Sequence, residues 1–352
     1  MKILVTGGGG FVGSHLVPFL ERSGFDVRVL DLSEPSFVCG DFVHGDVRDP
    51  LCVGRAMDGV DAVIHLAAAH HDFGISRETF FDVNENGMRV LTEAMSAHDV
   101  RDICFFSSVA VYGDAAPPID EGSTPLPNND YGASKLAAEA VLNQWANAGL
   151  DRRAFVLRPT VIFGENNFAN MFSLIRQIDR RRFLQVGAGS NIKSICFVEN
   201  LVAAVEQMWL SDADRSSFAV FNYVDNPDLT SSEIAAAIAQ ALGQSRPTRI
   251  PYGVGKLMAM PFDLVTAVTG VDLGVSSLRI QKLAKAETKF EADRIRDAGF
   301  VQPVELLDGI RRMVEWYQSR RGEPQPSHRI PPAEVSRFDV APTSDVVSPL
   351  GT

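Results

Sequence analysis

Ser108, Tyr131 and Lys135 are the residues whose types and spacing can move a proton. Tyr131 and Lys135 stand four apart in "YGASK", one turn of a helix, so both face the same side. A free phenol has a pKa of about 10 and is a poor base at neutral pH. An ammonium group beside it favours phenolate and lowers that value. Ser108 closes the apolar run "DICFFSS", where a buried strand would present a hydroxyl at its end. A positioned hydroxyl and an activated phenol can hold an alcohol oxygen and take its proton. Such chemistry needs an acceptor for the hydrogen left on carbon and a scaffold that brings positions 108 and 131 together.

The first 160 residues supply a scaffold. "KILVTG", "DVRVLD", "DAVIHLAA", "DICFFSS" and "RAFVLRP" are short apolar runs, and "SHLVPFLERSG" and "FFDVNENGMRVLTEAMSAHDV" between them carry apolar residues at helical spacing. Near-continuous apolarity means burial on both faces, as in a parallel sheet covered by helices. The pattern predicts an α/β fold, a Rossmann-type doubly wound parallel sheet, with Ser108 at the carboxyl end of a central strand where ligands bind. Pro18 inside the first helix should cost one hydrogen bond and bend it. After Pro159 the pattern is less regular. "NMFSLIRQIDRR" reads as a helix and "FAVFNYVDN" as a strand returning to the sheet. Thr230 and Glu233 make a capping box for a helix ending at Gly243. The division expected is residues 1–165 for the cofactor domain, with return segments around 190–226. Residues 166–190 and 227–320 form a smaller, partly interleaved C-terminal substrate region, and 321–352, rich in Pro and Ser, a disordered tail.

Composition excludes several classes. The 352 residues carry a net charge of −11, which argues against a nucleic-acid partner. Cys39, Cys52, Cys104 and Cys196 are scattered without metal-ligand spacing, so no metal is expected and a reducing compartment is. "MKILVTGGGG" runs directly into a strand, not into a signal peptide, and the expected localisation is cytoplasmic. Residues 257–270 are apolar but contain Pro261 and Asp263 and fall short of the roughly 20 residues of a membrane span. They read as a buried or pocket-covering helix.

The hydrogen acceptor is legible near the start. Gly7, Gly10 and Gly13 follow the first strand and open the first helix in a dinucleotide spacing. The first permits the turn, the second lets backbone approach a pyrophosphate and the third lets helix pack on strand. Phosphates then sit on free N–H groups at the helix N-terminus. Asp31 ends the second strand, eighteen residues after Gly13, where a carboxylate accepts from both ribose hydroxyls and repels a 2′-phosphate. No Arg follows it, so the cofactor expected is NAD. Asp46 in "GDVRD" falls near the adenine, and the small residues of "HLAA", Leu66, Ala67 and Ala68, can line the cofactor with backbone.

These motifs resemble the extended short-chain dehydrogenase/reductases, the family of nucleotide-sugar epimerases, dehydratases and reductases, over roughly residues 1 to 318. The resemblance rests on "TGGGGFVG" (6–13), Asp31, "HLAA" (65–68), "VNENG" (83–87), "SSVAVYG" (107–113), "YGASK" (131–135) and "LRPTVIFG" (157–164). It implies NAD as cofactor, Tyr131 as acid/base, Lys135 holding the ribose and tuning Tyr131, and Ser108 binding the reacting oxygen. Its motifs add Phe11, Val12, Val47, Ser107 and Pro159 to the residues around the cofactor. Sugar 4,6-dehydratases of the family carry an Asp-Glu pair where this chain has Val109 and Ala110, and decarboxylases usually keep a Glu in that stretch. Neither Val nor Ala transfers a proton, which leaves epimerases, keto-sugar reductases and alcohol dehydrogenases.

For the substrate, the resemblance points to Asn170 and Lys193 on a diphosphate; the competing reading is two solvated polar residues. His70 and His71 should lie near the cleft mouth, solvated and not chelating a metal. The function expected is NAD-dependent epimerisation of a nucleotide sugar through transient oxidation at its fourth carbon. The alternative is a net oxidoreductase, either a 4-keto-sugar reductase or a 3β-hydroxysteroid-type dehydrogenase with residues 257–270 lining an apolar pocket. A cofactor-binding scaffold without turnover would have no need of all three of Ser108, Tyr131 and Lys135. The partner is a small molecule, with a homodimer compatible and no membrane span. Because Asp31 would occupy the space of a 2′-phosphate, NAD(H) should bind much more tightly than NADP(H). Fluorescence titration checks this, and equal affinities would mean that Asp31 does not face the ribose.

Overall fold

The chain is described here by a computed structural model covering residues 1–321 except 38, 71–73, 211–215, 258–259 and 261–286. The apolar runs become the interior strands β1 (Lys2–Thr6), β4 (Ala62–His65), β5 (Asp102–Phe106) and β6 (Arg153–Pro159), buried at nearly every residue. Two strands flank β1 on its far side: β2 (Asp26–Asp31) and β3 (Asp41–His44). With β10 (Phe218–Tyr223) they form one seven-stranded sheet, in the order β10-β6-β5-β4-β1-β2-β3, and every pairing is parallel. Strand order reverses at β1, so a crevice opens beyond the carboxyl ends of β1 and β4. Strand β3 escapes the sequence pattern because it is an edge. Its side chains are only partly buried, and Asp41 accepts from Lys2 Nζ (2.9 Å) and Arg28 Nε (2.7 Å) instead of packing.

Helices cover both faces. On one, Leu16, Val17 and Leu20 of α1 (Phe11–Arg22) meet Leu201 of α7 (Val198–Ala204) and Trp209, all fully buried. Helix α1 spans Pro18, as its sequence anticipates. On the other face, α2 (Pro50–Ala56), α4 (Gly87–Ala97) and α5 (Asp130–Asn147) bury Val53, Met88, Leu91 and Leu142. Each such aliphatic side chain contributes roughly 1.5–3 kcal/mol by leaving water. The segment expected as one helix over 80–100 is interrupted. Helix α3 (Arg77–Phe81) passes into α4 through a π-helical turn, Asp82–Asn86.

A separate core belongs to the later part of the chain. There α6 (Asn170–Asp179), α8 (Ser231–Ala241) and α10 (Leu306–Ser319) enclose Ile175, Ile238, Ile310 and Met313 with Phe163 and Phe197. Phe163 and Phe197 come from the paired strands β7 (Val161–Phe163) and β9 (Ile195–Phe197). Helix α8 opens on the Thr230/Glu233 capping box, and β8 (Gln185–Val186) pairs with β11 (Arg249–Ile250). Helix α9 (Asp293–Asp297) returns Ile295 to the sheet's own core. Asp225 fastens the two parts: its carboxylate accepts from Phe197 N (2.7 Å), Asn200 Nδ2 (2.9 Å) and the Tyr223 hydroxyl (3.0 Å). Burial pushes that carboxyl up to about 6.

Among the described residues no helix is long and apolar enough to cross a membrane. Of the apolar stretch 257–270 only Leu257 and Met260 are described, and His71 and the tail beyond Arg321 lie outside the described residues. The turn from β1 into α1 leaves no room at Gly13, where a Cβ would lie 2.0 Å from the Gly8 carbonyl oxygen. Gly13→Ala should therefore destabilise by about 1–3 kcal/mol and weaken NAD binding together, because the obstructing atom is backbone. Thermal melts with and without NAD check this; an unchanged melting temperature would show that the turn relaxes.

Candidate active site

Helix α5 is placed from its first turn. Asn129 caps α5 by accepting from Gly132 N (2.8 Å), and a Cβ at Gly132 would come within 2.3 Å of the Ala110 carbonyl oxygen. That absence of a side chain lets α5 lie directly on the 3₁₀ turn Val109–Tyr112, the turn that Ser108 caps by accepting from Ala110 N (3.1 Å). Ser108, Tyr131 and Lys135 thereby border one cleft of about 560 Å³. Ser108 is half-buried, with its hydroxyl hydrogen left to donate.

Lys135 is only 2% exposed. Its ammonium donates to the Phe106 carbonyl (2.8 Å) and stands 4.8 Å from the centre of the Phe105 ring. Burial pulls its pKa down to about 7, with the Glu139 carboxylate pulling it back up. Glu139 lies one turn further along α5, where it accepts from the Ser107 hydroxyl (2.5 Å) and from Arg158 Nε (2.9 Å) and Nη2 (2.5 Å). Arg158 continues the chain of contacts to the Tyr112 hydroxyl (2.8 Å), which donates to Asn222 Oδ1 (2.8 Å). On the other side Asn84, in the π-helical turn, accepts from Ala69 N (2.9 Å) and donates to Ala69 O (3.1 Å) and Ser134 Oγ (2.8 Å). Ser134 donates to the Tyr131 carbonyl (2.8 Å). The Tyr131 ring packs 6.2 Å from that of Phe80.

The rest of the cleft fits a dinucleotide. Gly7, at φ +70°, would put a Cβ 2.5 Å from Ala67 N, so the turn and the Leu66–Ala68 backbone touch. A Cβ at Gly10 would meet nothing nearer than Gly7 O at 3.3 Å, and its N–H end of α1 opens onto the cleft. Asp31 accepts from Gly9 N (2.9 Å) and Ser33 N (3.2 Å), and burial raises its carboxyl against those bonds. Phe11, Val12, Gly13, Val47, Ser107 and Pro159 complete the border, with Thr160, whose buried hydroxyl has no protein partner. The glycine turn, Asp31 and Lys135 are the groups along this cleft that could hold NAD. Asp46 borders the cleft too, but Arg48 already takes both its oxygens (3.0 and 2.7 Å).

Residues assigned to the substrate stand apart. Asn170 is exposed at the start of α6, and Lys193 is half-buried, its backbone N–H donating to Leu229 O (3.0 Å). Burial lowers the Lys193 ammonium, with Glu287 opposing. Neither borders the cleft, whereas exposed His70 does. Sequence reasoning passed over Asn84, Glu139, Arg158 and Tyr112. A signal existed for one of them: Glu139 repeats the four-residue spacing of Tyr131 and Lys135, whereas Asn84 sits among the polar residues of "DVNEN" and does not stand out.

The sequence model of the NAD dependent epimerase/dehydratase family matches residues 3–222. The chain belongs to that family. It is an NAD-dependent enzyme of the extended short-chain dehydrogenase/reductase type, and NAD is its cofactor. It is 38% identical over 317 residues to the N-acetyl-alpha-D-glucosaminyl-diphospho-ditrans,octacis-undecaprenol 4-epimerase of Escherichia coli O157:H7, spanning 90% of this chain and 95% of that one. It is 30% identical over 285 residues to the UDP-glucose 4-epimerase of Lacticaseibacillus casei, spanning 70% of this chain and 83% of that one. The fold matches MoeE5, solved with UDP-glucuronic acid and NAD, at a TM-score of 0.72 and 24% identity, over 91% of this chain and 99% of that one.

The Glu139–Arg158 pair is buried, so each single change would strand a charge. Glu139→Leu should cost about 3–5 kcal/mol, and Glu139→Leu with Arg158→Met clearly less than the single change. Chemical denaturation measures both; a double variant as unstable as the sum would show that the pair does not act as a unit.

Proposed function

We propose that this protein is a 4-epimerase of a hexose whose anomeric oxygen carries a diphosphate. The observation that carries the reading is the single cleft holding Ser108, Tyr131 and Lys135 beside the glycine turn, with Val109 and Ala110 where an eliminating enzyme would need acids. NAD supplies a hydride acceptor, and afterwards a hydride donor, for the hexose's fourth carbon. Ser108 donates to the oxygen on that carbon and fixes it. Tyr131 takes the hydroxyl proton and returns it once the sugar has turned its other face. Lys135 holds a positive charge where the phenolate needs it, anchored by the Phe106 carbonyl. Asn170 and Lys193, in the later region, are the groups offered to the diphosphate.

Two kinds of carrier share that diphosphate. One is a nucleoside, as the name of the Lacticaseibacillus casei relative states for its substrate; the other is a polyprenol, as the name of the Escherichia coli relative states. The second relative matches over more of both chains and at higher identity, which favours a lipid carrier. The sterol-dehydrogenase alternative leaned on residues 257–270, which lie outside the described residues apart from Leu257 and Met260.

The reading is tested by offering UDP-hexoses, a polyprenyl-diphosphate N-acetylhexosamine and a sterol alcohol to the protein with NAD. Product chromatography should show C4 inversion without net NADH. Tyr131→Phe should lose at least about a thousandfold in kcat while binding NAD normally. Net NADH accumulation with the sterol, or near-normal turnover by Tyr131→Phe, would overturn the proposal. Since burial pulls Lys135 down to about 7 and its charged form is the useful one, kcat/KM should decline as pH rises through about 7, which a pH–rate profile checks.

A further inference from the structure

One face of the later region carries charge opposite to that of the whole chain. Gln185 N donates to Thr248 O (2.9 Å), Gly187 N to Ile250 O (2.9 Å), and Gln244 Nε2 to Asp179 O (3.1 Å). A Cβ at Gly255 would lie 2.5 Å from Val186 Cγ1. Segments 180–187 and 244–257 therefore form one continuous surface. It exposes Arg180, Arg181, Arg182, Arg246, Arg249 and Lys256, and neither segment contains an Asp or Glu, in a chain of net charge −11. Among the described residues none of these six cations forms an ion pair. Asp179, at the edge, is already held by the Tyr317 hydroxyl (2.9 Å) and Arg321. The same two segments expose apolar side chains beside these cations: Leu184 (42% exposed), Val254 (46%) and Leu257 (67%).

We propose that this face docks the enzyme on the anionic headgroups of a lipid bilayer. Clustered Lys and Arg are drawn to such a surface, and aliphatic side chains among them enter the boundary below the headgroups. Exposed Leu184, Val254 and Leu257 beside the cations suit a lipid surface better than a nucleic-acid phosphate face, which favours the first of the two polyanions. The placement suits a lipid-borne substrate. Lys193 lies six residues beyond Gly187 on the same chain, and α6 runs from Asn170 at its start to the patch at its end. The docking stands by itself; only the lipid carrier it favours rests on the epimerase reading.

The full chain is to be sedimented with vesicles of phosphatidylglycerol and phosphatidylcholine, and with phosphatidylcholine alone, at low and high salt. Binding should require the anionic lipid and weaken with salt. Arg181→Gln/Arg182→Gln/Lys256→Gln should lower partitioning by about a hundredfold, at roughly fivefold per charge, with NAD affinity and melting temperature unchanged. Leu257→Ser should weaken what binding remains at high salt. Binding equally to both vesicles or to neither, or a triple variant that binds like the parent, would overturn the proposal. So would capture by single-stranded RNA with indifference to vesicles, or loss of a dimer in the triple variant in place of loss of vesicle binding. Vesicle binding without sugar turnover would leave the docking standing and remove the epimerase reading.

Discussion

Helix α5 is held against the end of β5 by two buried hydrogen bonds from consecutive positions, Lys135 to the Phe106 carbonyl and Ser107 to the Glu139 carboxylate. One runs from helix to strand and the other from strand to helix, so the pair resists sliding in either direction. Tyr131 and Ser108 sit one turn and one residue away from these bonds. The spacing of Tyr131 and Ser108 is therefore set by a clamp neither of them belongs to. Gly132 makes the clamp reachable by letting the helix touch the Ala110 backbone.

The clamp places charge in an apolar interior. Lys135 alone there would favour its neutral form, and the Glu139 carboxylate opposes that. Arg158 brings a second cation, and Tyr112 and Asn222 extend the chain of bonds beyond it. Such a network is favourable only when every member is matched. Its far end, Asn222, lies on β10, the last strand to join the sheet, and Asn222 N donates to the Glu121 carboxylate (2.7 Å). The last strand thus completes the polar surroundings of a lysine more than eighty residues earlier in the chain.

The interior strands, the glycine turn and the Ser/Tyr/Lys set were legible because each leaves a mark within a few residues: an apolar run, a spacing of glycines, a four-residue repeat. Strand β3 left none: it is a four-residue edge strand in which Asp41 pairs with Lys2 and Arg28, while Phe42 and Val43 pack only partly buried against the cores on the two faces. Arg158 and Tyr112 were hidden for a different reason. Each looks like an ordinary residue of a strand or turn, and only folding brings them within hydrogen-bond distance, forty-six positions apart in sequence. Asp46 shows the reverse: its position near the cofactor cleft was readable, its engagement with Arg48 was not.

The π-helical turn at Asp82–Asn86 holds one more residue than an α-turn, and the extra residue is what aims Asn84 at both Ala69 and Ser134. Everything from Gly87 onward is rotated by that one residue, including the faces of Met88 and Leu91 that meet the sheet. Smoothing this turn into a regular helix with every residue kept would turn α4 about 100° on its axis, whereas deleting one residue would smooth the helix, keep the faces of α4 and lose the aim of Asn84. At this point chain length and one side chain's aim are tied together, so a related sequence one residue shorter here should also lack the bonds that Asn84 makes to Ala69 and Ser134.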